Sequence, residues 1–562
     1  MDARTWTWLV VAASFAGYLL VLARARIRGA GAFYRPVRRV WPPAAGVAAA
    51  AGWISAASYL SLGGALALSV PDGTVYLVGW TVGFALLALL VAPYLRRTGR
   101  HTIPQLMAER FRSPASGAVA AACALLVTFT YLSAQLRGAA IVLARFVPMP
   151  LPGAVFVAAA MVLVYTTLGR LRSLTGGEVA QYLVLAGAFF VLAGALTLEL
   201  TGSPVPQQAI FARLGSRGAA LLGQPAGRPL VEAVGRLGEA LGVPPQGEGG
   251  RGPADWIASA LALVAGTAAL PHMVSRFLSM PRASEARRSA AWALAFIVLF
   301  YSAVPAVALA ARAGLLESAR RGAGAAPSWI EGWRASGLLS TGLEAPARRP
   351  GVPLGPGGER MDPDALVLAA PEMLRLPPWV VAIAAAGALA AAVSAGAGLV
   401  FSLGAVAARD LLKGTLLPGL SDRAELRISR ATATGLTVLA ALLALRPPGT
   451  VVETVGLAFG LAGAAFFPAL LAGVLWRRAT GRGALWGMLA GAGFTIGYVH
   501  WFRFMHPELD RPPHWWLGIS PGGVGAAGAL VGAAVLVAVS LLGRSPAGDP
   551  GGPSGPDPAL PR

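Results

Sequence analysis

Apolar runs recur along nearly the whole chain, and their lengths decide its class before any motif is read. Stretches long enough to cross a bilayer lie near 5–24, 43–70, 76–96, 117–146, 152–172, 178–200, 255–279, 286–312, 377–409, 429–446, 450–476, 482–503 and 515–542. A helix needs roughly 20 apolar residues to span the hydrocarbon core. The pattern therefore predicts an all-α polytopic membrane protein with about thirteen transmembrane helices.

The polar segments between these runs alternate in charge. "RARIRGAGAFYRPVRR", "YLRRTGRHTIPQLMAERFR", "GRLRS", "SRFLSMPRASEARR", "RDLLKGTLLPGLSDRAELRISR" and "WRRATGR" are arginine-rich and follow alternate helices. The opposite connections, "VPDGT", "PMPLPG" and "RPPGT", carry little positive charge. Positive loops stay in the cytoplasm, so the alternation predicts a bacterial-type inner membrane protein with its N-terminus outside and its C-terminus cytoplasmic. The first apolar run lacks a small-residue cleavage site and is followed by arginines, the reverse of a secretory signal, so it reads as a retained helix. Two longer connections, 201–254 and 313–376, fall outside by this count. Both are rich in Gly, Pro and Arg and are expected to be poorly ordered linkers carrying at most short surface helices. The tail 543–562 reads as a disordered cytoplasmic end.

Composition narrows the partners. The chain is 56% hydrophobic and 13% charged, with a mean hydropathy of +0.63. A formal charge of +21 suggests nucleic acid. The charge is almost entirely arginine spread through inter-helix loops, however, and forms no stripe matching a phosphate backbone, so nucleic acid is excluded as a partner. The single cysteine, Cys123, lies within an apolar run, which rules out an internal disulfide, a cysteine metal site and a redox pair. No "GxxxxGK[ST]" is present, so ATP-driven transport would need another chain. No paired carboxylates, histidine cluster or nucleophile motif suggests an enzyme.

Four stretches together resemble the sodium:solute symporter family, and within it the branch of acetate and short monocarboxylate permeases. They are "GWISAASYLSLGG" (52–64), "APYLRRTGRHTIPQLMAERF" (92–111), "GTAALPHMVSRFLSMPRASEARRS" (266–289) and "VGLAFGLAGAAFFPALLAGVLWRRATGRGALWGMLAG" (455–491). The resemblance runs in order from about residue 45 to 495. It implies a leucine-transporter-like core of two inverted five-helix repeats. Here that core would divide the chain into an N-terminal helix and loop (1–42), repeat one (43–200), an external loop (201–254), repeat two (255–476), two C-terminal helices (477–542) and the tail.

Such a fold needs irregular backbone at the membrane midplane, where freed carbonyls meet a cation and helix N-termini meet an anion. The resemblance puts sodium-ligating carbonyls at Ala51 and Ile54 in the first repeat. It puts a carbonyl at Ala391 and a hydroxyl at Ser394 in the second. The family's second hydroxyl position is Ala395, which has none, and this keeps protons open as the alternative coupling ion. Family members also carry an acidic residue where Glu178 stands, at the inner end of its helix, where it would receive the departing cation. Gly52 and Ser55 mark the first expected helix break, and Gly266-Thr267 its symmetry mate; both would meet the substrate.

Arg137 is read from physics alone. A charged residue inside a span faces the protein interior, where it would pair with a substrate carboxylate, or it snorkels to the outer interface. Gln135, Tyr131 and Thr128 share its helix and are expected near the same cavity. His272 and Arg276 lie one turn apart and are assigned to interfacial packing, with Arg276 reaching a lipid phosphate.

These features predict a secondary active transporter that couples a small organic anion, such as acetate or another short monocarboxylate, to sodium. It needs no cofactor beyond the coupling ion. A proton-coupled or non-carboxylate transporter of the same fold is the alternative, as is a membrane sensor acting with a separate partner; a small accompanying membrane subunit is left open.

Overall fold

The computed structural model describes residues 3–24, 41–96, 98–147, 149–168, 171–243, 251–321, 328–341, 352–353 and 359–543. The first expected repeat contains α2 (Pro42–Trp53), α3 (Ala57–Leu68), α4 (Val70–Arg96), α5 (Ile103–Arg110), α6 (Pro114–Phe146), α7 (Leu151–Leu168) and α8 (Leu171–Thr201), preceded by α1 (Ala3–Arg24). After the short helices α9 (Ser216–Leu222) and α10 (Leu230–Ala240) come α11 (Pro253–Ala268), α12 (Pro271–Leu278) and α13 (Ala283–Arg321). Two short helices, α14 (Ser328–Ala335) and α15 (Leu366–Met373), precede α16 (Pro378–Leu416), α17 (Asp422–Leu445), α18 (Val451–Leu475), α19 (Gly481–His500) and α20 (Val524–Leu542). Each expected apolar run falls on a described helix. Among the described residues nine helices are long and apolar enough to cross a membrane, and the bent pair α2/α3 makes a tenth.

Polar punctuation explains where these helices start. Ser113 accepts the Ser116 amide ahead of α6, with Pro114 in the first turn. Ser421 caps α17, and Asp422 and Glu425 complement its N-terminal dipole. Thr450 and Glu453 form a reciprocal capping box on α18. The caps satisfy end amides that lipid could not, which frees the helix bodies to be apolar.

Among the described residues two helices break inside the bundle. Between α2 and α3 the axis bends by 72°, with Ile54 leaving helical dihedrals at φ −71° and ψ 102°. The second break differs from expectation. Gly266-Thr267 stays helical, and the chain opens instead at Ala269-Leu270, where Leu270 has φ −71° and ψ 116°. Pro271 is the cause, because it lacks an N–H and drives the preceding residue out of the α region. Gly266 serves close packing instead, since a Cβ there would collide with the Phe459 carbonyl of α18.

The outer connections also differ from the expected linkers. Helix α13 continues nine residues past the expected end at 312, through "AGLLESARR", whose Ala, Leu, Glu and Arg all favour helix. Beyond it, three short strands, β1 (Leu339–Thr341), β2 (Val352–Pro353) and β3 (Glu359–Met361), make one antiparallel patch with β3 in the middle. Helix α15 is buried almost throughout. The last span begins nine residues later than expected, because residues 515–523 form tight turns with Leu517 at φ 53° and Gly518 at φ 71°. The arginine-rich loop at 25–40 and the tail from 544 on lie outside the described residues.

One end of the bundle gathers the arginine-rich segments. Arg96 donates to the Met280 carbonyl and, at 3.2 Å, to that of Pro281, just beyond α12. Gln105 of α5 donates to Asp410 on α16 at 3.0 Å, and Arg110 to the Gly473 carbonyl on α18 at 2.6 Å. At the opposite end Arg251 meets Asp72, Asp255 and Ser520, each at 3.0–3.1 Å.

Replacing Gly266 by Leu should cost roughly 1–3 kcal/mol by forcing α11 off α18. The check is thermal unfolding of the purified protein in detergent, where an unchanged midpoint contradicts the close approach.

Candidate functional site

The two breaks face one aromatic chamber whose hub is Phe459. Its ring centroid lies 5.7 Å from that of Trp53 beside the first break, 5.8 Å from Trp80 on α4 and 5.5 Å from Tyr131 on α6. Each such pair adds roughly 0.5–1.5 kcal/mol beyond its buried area. Tyr131 in turn lies 5.6 Å from the His272 ring, which follows the second break directly. On the far side the Tyr301 hydroxyl accepts from the Trp53 indole at 3.2 Å and shares a 3.0 Å hydrogen bond with Ser58.

Polar groups hold the first break open. The Ala56 amide has no helical acceptor and donates to Gln135 Oε1 at 3.0 Å, while the Tyr131 hydroxyl bonds to Ser55. Helix α6 therefore meets the broken stretch of chain through Tyr131 and Gln135, four residues apart on one face. Several buried donors around this chamber have no acceptor among the described residues: the Trp80 indole, the Gln135 amide nitrogen and the Thr128 and Thr267 hydroxyls. Thr267 sits against Gly83, one turn from Trp80. A buried unsatisfied donor costs about 1–3 kcal/mol, so a cluster of them marks a place suited to an acceptor.

The expected cation residues lie on packed neighbours. Ala51 and Ile54 are fully buried at the end of α2, whose final carbonyls lose their helical donors at the break. Ala391, Ser394 and Ala395 are buried on α16, which packs against α2. The Ser394 hydroxyl has no partner among the described residues. Close by on the same helix, Gly396 packs on Val162 and on the Cβ of Gln135, the residue whose side-chain oxygen takes the Ala56 amide at the break.

Glu178 and Arg276 are brought together, which no sequence spacing suggested. Arg276 Nη1 and Nη2 bond the two Glu178 carboxylate oxygens at 2.9 and 2.5 Å. Glu178 is buried within α8, its carboxylate held inside the bundle. The guanidinium also lies over Gly52, where a Cβ would come within 3.1 Å of it. Arg276 thus spans from the first break to α8 and does not extend to lipid phosphate. His272 is likewise turned inward, with a buried ring nitrogen. Both corrections have one cause: the Pro271 break reorients the following turn into the bundle.

Arg137 is buried, and its Nη2 donates to Asp362 Oδ2 at 3.0 Å beside β3. A substrate carboxylate reaching it would have to displace a protein carboxylate. Arg145, two turns on, pairs with Glu372 of α15 at 2.5 Å. Between them Asp364 accepts from Ser61 at 2.5 Å and from the Val451 amide at 3.0 Å, capping α18 and joining it to α3. Sequence patterning alone did not single out Phe459, Trp80, Tyr301 or Asp364. For His272, the adjacent proline at 271 was the available signal.

Comparison with known proteins decides the class. The sodium:solute symporter family profile matches residues 33–317 and 365–491. The chain belongs to the sodium:solute symporter family. An uncharacterized symporter of Cupriavidus necator is 30% identical, covering 91% of this chain and 87% of its own. A monocarboxylic acid transporter of Corynebacterium glutamicum is 27% identical over 78% of this chain and 73% of its own. Among solved structures, a Na+-coupled sialic acid symporter in a substrate-bound outward-open state aligns with a TM-score of 0.64 at 15% identity, covering 96% and 98% of the two chains. That likeness shows the fold, an all-α bundle of the leucine-transporter-like kind. This symporter-family chain is a transporter and not an enzyme.

Glu178→Gln should destabilise the protein by roughly 3–5 kcal/mol, since it strands a charge that is mostly buried. The lower end is expected because Arg276 keeps 22% of its side chain exposed. Adding Arg276→Gln should restore much of the loss. Thermal unfolding of the two variants checks this, and a double variant no more stable than the single one refutes the pairing.

Proposed function

We propose that this symporter moves a short monocarboxylate into the cell together with sodium. The observation that carries the reading is a set of buried donors without partners among the described residues: the Trp80 indole packed on Phe459, the Gln135 amide beside the first break and the Thr267 hydroxyl near the second. A carboxylate presents about four acceptor sites and no donors, which complements that set. The aromatic walls favour a small apolar body behind the carboxylate, and the N-terminal turn of α3 adds a positive dipole end. A relative named for monocarboxylic acids supports the same substrate class.

Sodium would be held by the carbonyls of Ala51, Ile54 and Ala391 and the Ser394 hydroxyl, hard oxygens suited to a hard cation. Glu178 would receive it on the way out once Arg276 lets go. The arginine-rich end of the bundle faces the cytoplasm in this reading, as the loop charges favour. Ala395 supports a second reading, in which the missing hydroxyl is matched by proton coupling.

The deciding experiment is uptake of labelled acetate, propionate and lactate into proteoliposomes under separately imposed sodium and proton gradients. Sodium-driven uptake of at least one acid is expected; uptake driven only by protons selects the second reading, and transport of none of them ends the monocarboxylate proposal. Within the first reading, Ser394→Ala should raise the sodium concentration for half-maximal uptake roughly tenfold, the worth of about one good ligand.

A further inference from the structure

Away from the chamber, a cleft of about 140 Å³ opens at the arginine-rich end, between the end of α4, the short helix α5 and the end of α18. Its inner walls are apolar, formed by Leu95, Leu106, Met107, Leu470 and Val474. Its polar lining comes from Thr98, Arg100, Glu109 and Arg110. Lipid-facing leucines lead up to it on both flanking helices: Leu89 and Leu90 on α4, and Leu471 and Leu475 on α18, are all exposed.

More positive charge stands beside the mouth. Gly473 packs on Arg110, and Gly481 on Phe111 and Ser113, which brings the intervening turn with Arg477 and Arg478 next to residues 110–113. Both arginines are exposed, as is Arg112. Against them stands Glu109, paired with Arg100. Arginines at this end need no ligand to explain them, because they also set orientation. A cleft with apolar walls beneath a basic rim, continuous with lipid-facing surface, is a more specific arrangement.

We propose that this cleft binds the headgroup of an anionic phospholipid, with the phosphate at the arginine rim and the glycerol and first acyl carbons against Leu106, Met107 and Val474. Basic pockets between membrane helices on the cytoplasmic side hold anionic headgroups by this combination of charge and apolar contact. The sidedness rests on the orientation proposed above; the chemistry of the cleft does not. A seated lipid would clamp α5 against α18, the helix that carries Phe459, so bilayer composition would bear on how freely the transporter cycles.

The test is native mass spectrometry of the full-length transporter in detergent with phosphatidylglycerol or phosphatidylcholine added. Wild type should retain phosphatidylglycerol preferentially. The triple variant R100Q/R477Q/R478Q should lose that retention by about a hundredfold, at roughly 1 kcal/mol per arginine. R423Q/R427Q/R430Q removes the same charge from α17 at the same end and should retain the lipid. Val474→Trp keeps every arginine, fills the apolar wall and should also lose it. Equal loss in both triple variants would overturn the proposal in favour of diffuse attraction. Unchanged retention in the first triple variant would overturn it outright. Displacement of the lipid by inorganic phosphate, with Val474→Trp retaining normal binding, would reassign the cleft to a soluble anion. Because these readouts need no transported substrate, they stand apart from the uptake experiment; an orientation found reversed by cysteine labelling would withdraw only the sidedness.

Discussion

The constraint on which the structure depends is that broken helix backbone cannot face lipid. Each unsatisfied amide or carbonyl in hydrocarbon costs several kcal/mol, so a break inside a span must be enclosed by protein. The described residues carry two such breaks, and close packing surrounds them. Gln135 takes the Ala56 amide, Gly266 lets α11 lie directly on the backbone of Phe459, and Arg276 covers Gly52. The chamber follows from this enclosure: the rings of Trp53, Trp80 and Tyr131 close around Phe459 because the breaks need an apolar wall that still presents a few donors.

The two ends of the bundle are fastened differently. At the arginine-rich end, side chains reach main-chain carbonyls, as Arg96 and Arg110 do, and an ion pair links Arg276 to Glu178. At the other end, carboxylates of the connection before α16 reach into the bundle: Asp362 to Arg137, Asp364 to Ser61 and α18, and Glu372 to Arg145. Alternating access needs each end to open in turn, and an interaction made by discrete ion pairs and caps can be exchanged for water or for a coupling ion at modest cost. Arg137 accordingly belongs to the fastening at this second end. It sits in the helix that also feeds the chamber through Tyr131 and Gln135, so one helix reports to both places.

Much of this was legible in the chain. Hydrophobic length located a helix at every apolar run, and among the described residues nine of them, ten with the bent pair, are long and apolar enough to cross, because only a helix satisfies its own backbone in lipid and about 20 residues are needed. The first break was legible from its small residues and from the family motif around 52–64. The second was misplaced by a few residues because glycine was weighed over proline: Gly266 serves close packing, and Pro271 is what interrupts the hydrogen-bond ladder. The outer connection was undervalued because Gly- and Pro-rich sequence has no periodicity to read, yet Asp362, Asp364 and Glu372 have partners supplied by distant helices.

By itself, then, the sequence determined the class, the order of the apolar spans, the charge asymmetry of the loops and the family, since each rests on local composition or on ordered motifs. Tertiary structure alone decided which charges meet. Glu178 and Arg276 are 98 positions apart, Ser61 and Asp364 303, and nothing in either neighbourhood specifies the other. It also decided that Phe459, an unremarked residue in an apolar run, is the centre of the chamber. The physical reason is common to both. In a membrane bundle every helix has an apolar surface whichever way it faces, so periodicity does not reveal the inward side; that is settled only when the helices pack and the few polar groups find one another.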